Sequence, residues 1–146
     1  MQNKNFPPYG YSYLLVRLLP GLVFLSEGIQ KFVVPAELGP GRFEKIGFSH
    51  PEFWAYFTAC FEILCGLLLI VGLIVRLAVV PLLIVMIVAF ITTKIPILEQ
   101  KGFWAMAHEY RTDFAMTLLL VFLLINGAGW PSADSRIVRI KKKRRF

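Results

Sequence analysis

The sequence predicts an all-α integral membrane protein, a bundle of four transmembrane helices with both termini in the cytoplasm. Three observations carry that prediction. Hydrophobic residues make up 57% of the 146-residue chain. They fall into four long blocks, at about 11–34, 53–75, 77–97 and 112–130, and a bilayer core about 30 Å thick needs roughly 20 apolar residues per helix. The net charge of +7 is concentrated after the last block. A length of this order fits one domain, so residues 1–135 read as a single membrane domain and 136–146 as a basic tail.

The first block, 11–34, reads as a retained helix and not as a cleavable signal. Its leader carries Lys4 as the lone cation, Arg17 interrupts the apolar run, and no Ala-x-Ala site follows. Pro35 and the Gly39–Pro40–Gly41 run end this helix and its extension. His50–Pro51 precedes the second block, with Ser49 as a candidate N-cap. Gly72 and Arg76 bracket a tight turn before the third block. Pro96 ends that block near Thr92–Thr93–Lys94. Gly127 and Gly129 loosen the end of the fourth, and Pro131 stops it. Pro20 and Pro81 lie inside spans, where each frees a backbone carbonyl and favours a kink.

Four spans put both termini on one side of the membrane. Arg136, Arg139 and the run Lys141–Arg145 supply seven cations in the last eleven residues. Juxtamembrane clusters of this kind mark the cytoplasmic side and attract anionic lipid at about 1 kcal/mol per cation. Lipid headgroups are therefore the expected partner of the tail, and nucleic acid is not. The localisation expected is a bacterial-type inner membrane. Small-residue stripes also suit a homo-oligomer.

The charges inside the oily blocks carry the functional content. A charge in hydrocarbon costs at least ~2.5–3.5 kcal/mol, so it must pair, face other helices or line a wet cavity. Arg17, Gly21, Phe24, Gly28 and Lys31 fall on one helical stripe. Glu27 lies four residues before Lys31 and is placed to pair with it; both then snorkel to the outer surface in the structural alternative. Ala55, Ala59, Glu62 and Gly66 form a second stripe with one acid in it. Glu62 lies well inside its block, where a short carboxylate must be protonated, hydrogen-bonded or paired. It reads as a proton relay or, equally, as a polar clasp.

Asp113 opens the fourth block, where it either caps the helix or joins an outer cluster with Lys31 and His108. Arg17, Lys31, His108 and Asp113 are the candidate ligand-binding residues, and Glu62 is the candidate catalytic one. Cys60 and Cys65 are about 7.5 Å apart along a helix axis, beyond the ~7 Å reach of a disulfide. The two histidines are far apart in sequence and give no metal spacing, and no phosphate loop or dinucleotide fingerprint occurs.

The order of these charges resembles the DoxX family (the DoxX/DoxD-like small four-helix membrane proteins). The resemblance runs from about Leu14 to Asp134. It rests on Arg17 with Gly21, Phe24, Gly28 and Lys31, on the spacing Glu62-x3-Gly66-x5-Gly72-x3-Arg76, on Asp113–Phe114, and on Gly127-x-Gly129 with Ser132 and Asp134. It implies a redox setting, with family members that include the membrane subunit of thiosulfate:quinone oxidoreductase. The implied fold is similar to vitamin K epoxide reductase-like bundles, whose cysteine pair this chain lacks. The resemblance implies an oxidoreductase-associated subunit, a quinone as cofactor and a redox partner protein. Two alternatives stand beside it: a protein that binds or transports a small amphiphile, and a non-catalytic anchor for a partner.

Overall fold

The structure is a computed structural model, and it describes residues 10–137. Lys4 and the basic run 138–146 lie outside the described residues, and so does the expected lipid contact of that run. All regular structure among the described residues is helical. In chain order it comprises α1 (Gly10–Val33), α2 (Pro40–Lys45), α3 (Pro51–Val71), α4 (Val75–Ala89), a π-helical turn (Phe90–Lys94), α5 (Ile95–Lys101) and α6 (Phe103–Asn126), followed by helical residues at 133–137.

The stripe read from the sequence is the face that α1 turns to α3, and this is the most extensive helix contact in the molecule. Glycine sets its depth. A methyl group on Gly66 would lie 2.9 Å from the Gly21 carbonyl oxygen and 2.9 Å from the Leu25 amide nitrogen. The two backbones therefore touch directly, as small-residue seams allow in membranes. α4 packs on α6, and α3 packs on α4 across the turn at Gly72. The core between these pairs is built from Phe24, Leu69, Val79, Leu82, Leu120 and Leu123, among others.

Outward faces are apolar too. Leu15, Leu19 and Leu22 on α1, Ile84 and Ile87 on α4, and Leu118 and Ile125 on α6 are all exposed. Exposed apolar area on this scale is incompatible with water and natural in lipid.

Among the described residues, three helical segments are long and apolar enough to cross a membrane: Tyr11–Val33, Pro51–Val71 and Val75–Lys101. The expectation of four spans is therefore corrected to three. α6 is long, but His108, Glu109, Arg111 and Asp113 occupy its first half. The apolar stretch left from Phe114 to Ile125 covers about 18 Å at 1.5 Å per residue, short of a ~30 Å core. With three crossings, the parity argument that put both termini on one side loses its premise.

Other boundaries move as well. The third block does not end at 97. The π turn carries it into α5, with Pro96 in that helix's first turn, where a missing N–H is harmless. The break comes at Gly102, whose φ is 81°. The His108–Arg111 cluster thus lies on a helix instead of in a loop, and Asp113 lies well inside α6. Helix capping, one of the two readings of Asp113, is excluded by that position. Ser49 is not the N-cap of α3; His50 is, with φ 61° and no side-chain cap bond.

Candidate functional site

The buried charges gather at two ends of the helix assembly. At one end lies Arg17, only 1% exposed. Its Nη1 donates to the Ala128 carbonyl (2.7 Å) and its Nη2 to the Pro131 carbonyl (2.8 Å). The guanidinium lies against Gly72, where a methyl group would stand 2.7 Å from Cζ. Gly72 has φ 75°, so both its conformation and its neighbour require glycine.

The segment after α6 is tied in by further bonds. The Asp134 N–H donates to the Gly72 carbonyl. The Asp134 carboxylate accepts from the amides of Ile74 (2.9 Å) and Val75 (3.4 Å) at the start of α4. Arg76 donates to the Ile125 carbonyl. Arg17 is therefore the hub of a clasp, and it does not reach the cavity described next.

At the other end, Lys31 turns inward. It is 7% exposed, and its Nζ lies 2.6 Å from Oε2 of Glu62, itself 3% exposed. Lys31 takes only a long contact, 3.4 Å, to the backbone carbonyl of Glu27. The expected Glu27–Lys31 pair snorkelling to the headgroups is thus replaced by a pair between α1 and α3. The reason is geometric: the close seam at Gly28, beside Ala59 and Ile63, leaves Lys31 facing Glu62, the one acid in the interior of α3.

A second pair was missed by the sequence reading. Lys94, 8% exposed, places Nζ 3.1 Å from Oδ2 of Asp113 and 3.1 Å from the Glu109 carbonyl. It closes the π turn, whose Thr92 and Thr93 hydroxyls donate to the carbonyls of Val88 and Ala89. π turns recur at functional sites because they re-aim a side chain. The signal available in the sequence was a lone cation behind two threonines at the end of an apolar run. The expected cluster of Lys31, Asp113 and His108 does not form. Lys31 goes to Glu62, Asp113 goes to Lys94, and His108 is exposed on α6.

Both pairs line one cavity of about 770 Å³. Its walls are largely apolar, with Phe24, Phe57, Phe61, Pro81 and Met86 among them, and Arg42 and Trp54 close it from the side of α2 and the start of α3. A concave, mainly apolar space of roughly 300–1,000 Å³ with a few fixed polar groups is the usual form of a small-molecule site. This one can hold an apolar tail and offer lysine N–H donors and carboxylates to a polar head. Cys60 is exposed and Cys65 buried on α3, both as free thiols.

The fold and this lining define an all-helical membrane protein with a largely apolar cavity that carries two ion pairs. The chain belongs to the DoxX family, whose model matches residues 12–95. An "Uncharacterized membrane protein" of Mycobacterium tuberculosis is 51% identical over 132 residues, covering 86% of this chain and 81% of that protein. "Putative oxidoreductase CatD" of Bacillus subtilis is 29% identical over 142 residues, covering 96% of this chain and 95% of that protein. No solved structure matches the chain.

Proposed function

We propose that this chain is a membrane subunit of a redox complex and holds the head of a quinone-class amphiphile in the cavity beside Lys31 and Glu62. The observation that carries the reading is the 2.6 Å pair, fully inside the protein, on the wall of a ligand-sized apolar cavity. The Bacillus subtilis relative, which is named as an oxidoreductase, supports a redox setting. A bound quinone supplies two-electron, two-proton chemistry. The chain's own residues fit such a head: Lys31 donates to a carbonyl oxygen, Glu62 holds or moves a proton at its carboxylate, and the aromatic wall excludes water and seats the tail. In this reading the protein lies in a bacterial inner membrane. The basic tail faces the cytoplasm, where it meets anionic headgroups and a redox partner protein.

The test is extraction of bound lipid and quinone from gently solubilised protein, with native mass spectrometry alongside. The expected result is about one quinone per chain, lost in Glu62→Gln. Protein carrying only ordinary phospholipid overturns the reading. A different stoichiometric amphiphile would support the alternative function, binding or transport of a non-redox amphiphile, for which the same mixed lining is suited.

A further inference from the structure

The geometry points to Lys94 as a second ligand contact, and to an uncharged amphiphile with two hydrogen-bond acceptors on its head as the class this cavity selects. The inference deepens the proposed binding role and rests on it. It starts from the donors. An ammonium group has three N–H bonds. Lys31 directs one at Glu62 and one at the Glu27 carbonyl; Lys94 directs one at the Glu109 carbonyl and is ion-paired with Asp113 at 3.1 Å. Each lysine therefore has at least one further N–H, and both lysines line the same cavity. The two pairs stand on separate supports, one across α1 and α3 and the other across the π turn and α6. A head with one acceptor would satisfy one lysine and leave the other's N–H without a ligand partner. A head with two acceptors satisfies both.

Charge balance adds the second restriction. The cavity is lined by three acids, Glu27, Glu62 and Asp113, and three cations, Lys31, Arg42 and Lys94. An uncharged head leaves that balance intact. A carboxylate or quaternary ammonium head would bring an uncompensated charge into a poorly solvated space. The π turn is what makes the two-point contact available. It widens the turn by one residue and ends on Lys94, bringing an ammonium group into the cavity beside Thr92 and Thr93, beyond an α4 face that presents apolar side chains there, Ile84, Val85 and Met86 among them.

The experiment uses the full chain in detergent and three probes with the same ten-carbon tail: a 1,4-benzoquinone with two opposed carbonyls, a cyclohexenone with one, and decanoate. Binding is read from quenching of Trp54, which lines the cavity, with Trp54→Phe as the background, and by competition against the benzoquinone. The wild-type protein is expected to bind the dicarbonyl at least tenfold more tightly than either other probe, the scale of one hydrogen bond to a charged group. In Lys94→Met/Asp113→Leu, which removes both partners of the pair, dicarbonyl affinity falls about tenfold while monocarbonyl affinity is unchanged. Should that variant fail to fold, Lys94→Gln is measured in its place, with a several-fold dicarbonyl loss expected. An equal loss for both carbonyl probes, or no loss for either, overturns Lys94 as a contact. Decanoate binding as tight as the quinone overturns the neutral-head selection. If the wild-type protein binds the dicarbonyl and Lys31→Met/Glu62→Leu abolishes that binding while the Lys94 variants do not, the proposed function stands and this inference alone falls. No binding of any probe to the wild-type protein overturns both.

Discussion

The two ends of the helix assembly use buried cations in opposite ways. At the Arg17 end the guanidinium is spent on backbone carbonyls of the segment after α6, and the space around it is filled to the point that Gly72 admits no side chain. At the Lys31 end the ammonium groups meet carboxylates on the wall of a cavity of about 770 Å³. The planar fork of arginine suits the first task, since it reaches two fixed acceptors at once. Lysine, a compact point charge with three N–H bonds, suits the second. A buried charge in a membrane helix is thus a mark of the interior, and only the space around it separates a clasp from a site.

The largest effect is expected of Arg17→Met. It leaves one buried and one part-buried carbonyl without their charged donor, at about 1.5–3 kcal/mol each. We expect the detergent-solubilised protein to lose roughly 3–6 kcal/mol of stability on that basis, enough to unfold it or lower its Tm severely. An unchanged Tm would mean that the Arg17 end is not a clasp.

Next comes Lys31→Met, which strands Glu62 without its partner. Breaking a buried pair from one side costs about 3–5 kcal/mol, while replacing both partners by apolar residues is often neutral. Lys31→Met should therefore destabilise severely, and Lys31→Met/Glu62→Leu should regain most of that loss in Tm and still bind no quinone. A double variant as unstable as the single one would move the pair from the site to the scaffold.

A smaller effect tests the seam on which both ends depend. Gly66→Ala would press its methyl group onto the Gly21 oxygen and the Leu25 nitrogen, both backbone atoms that cannot rotate away. Overpacking of this kind costs about 1–3 kcal/mol. Because the seam positions Lys31 over Glu62, the variant should lower both Tm and quinone affinity, unlike any change confined to the Arg17 end.

How much of this was legible beforehand follows from what the sequence pattern encodes. The stripe Arg17–Gly21–Phe24–Gly28–Lys31 could be read because five non-lipid positions recur at helical spacing, and all five are buried. The stripe of Glu62 was readable for the same reason. Partner choice was not. Lys31 has an acid four residues away on its own helix and another across the seam, and only the depth of the α1–α3 contact decides between them. Lys94 was hidden because a π turn shifts the helical register, so a 3.6-residue period misplaces every side chain beyond it. The start of α6 was set too late for a related reason: polar residues near a membrane read as loop, although here they continue the helix from Gly102.

The smallest expected effect belongs to Asp134→Ala. Asp134 lies far along the chain from α4, yet its carboxylate occupies the place of that helix's N-cap, accepting from the amides of Ile74 and Val75. Ile74 is held at φ 44°, a strained conformation for a β-branched residue, and the two bonds help to hold it there. Loss of a capping side chain costs about 1 kcal/mol, so the variant should fold, with a modestly lower Tm. Hydrogen exchange gives the sharper reading. The Ile74 and Val75 amides should both exchange faster in Asp134→Ala, whereas Asp134→Asn, which keeps one acceptor oxygen, should keep only Ile74, the shorter bond, near the wild-type rate. Quinone affinity should not move in either variant, because nothing in this cap touches the cavity. If it does move, the two ends are coupled through α4, and the division between a closed clasp and an open site would give way to a single mechanical unit in which tightening one end reshapes the other.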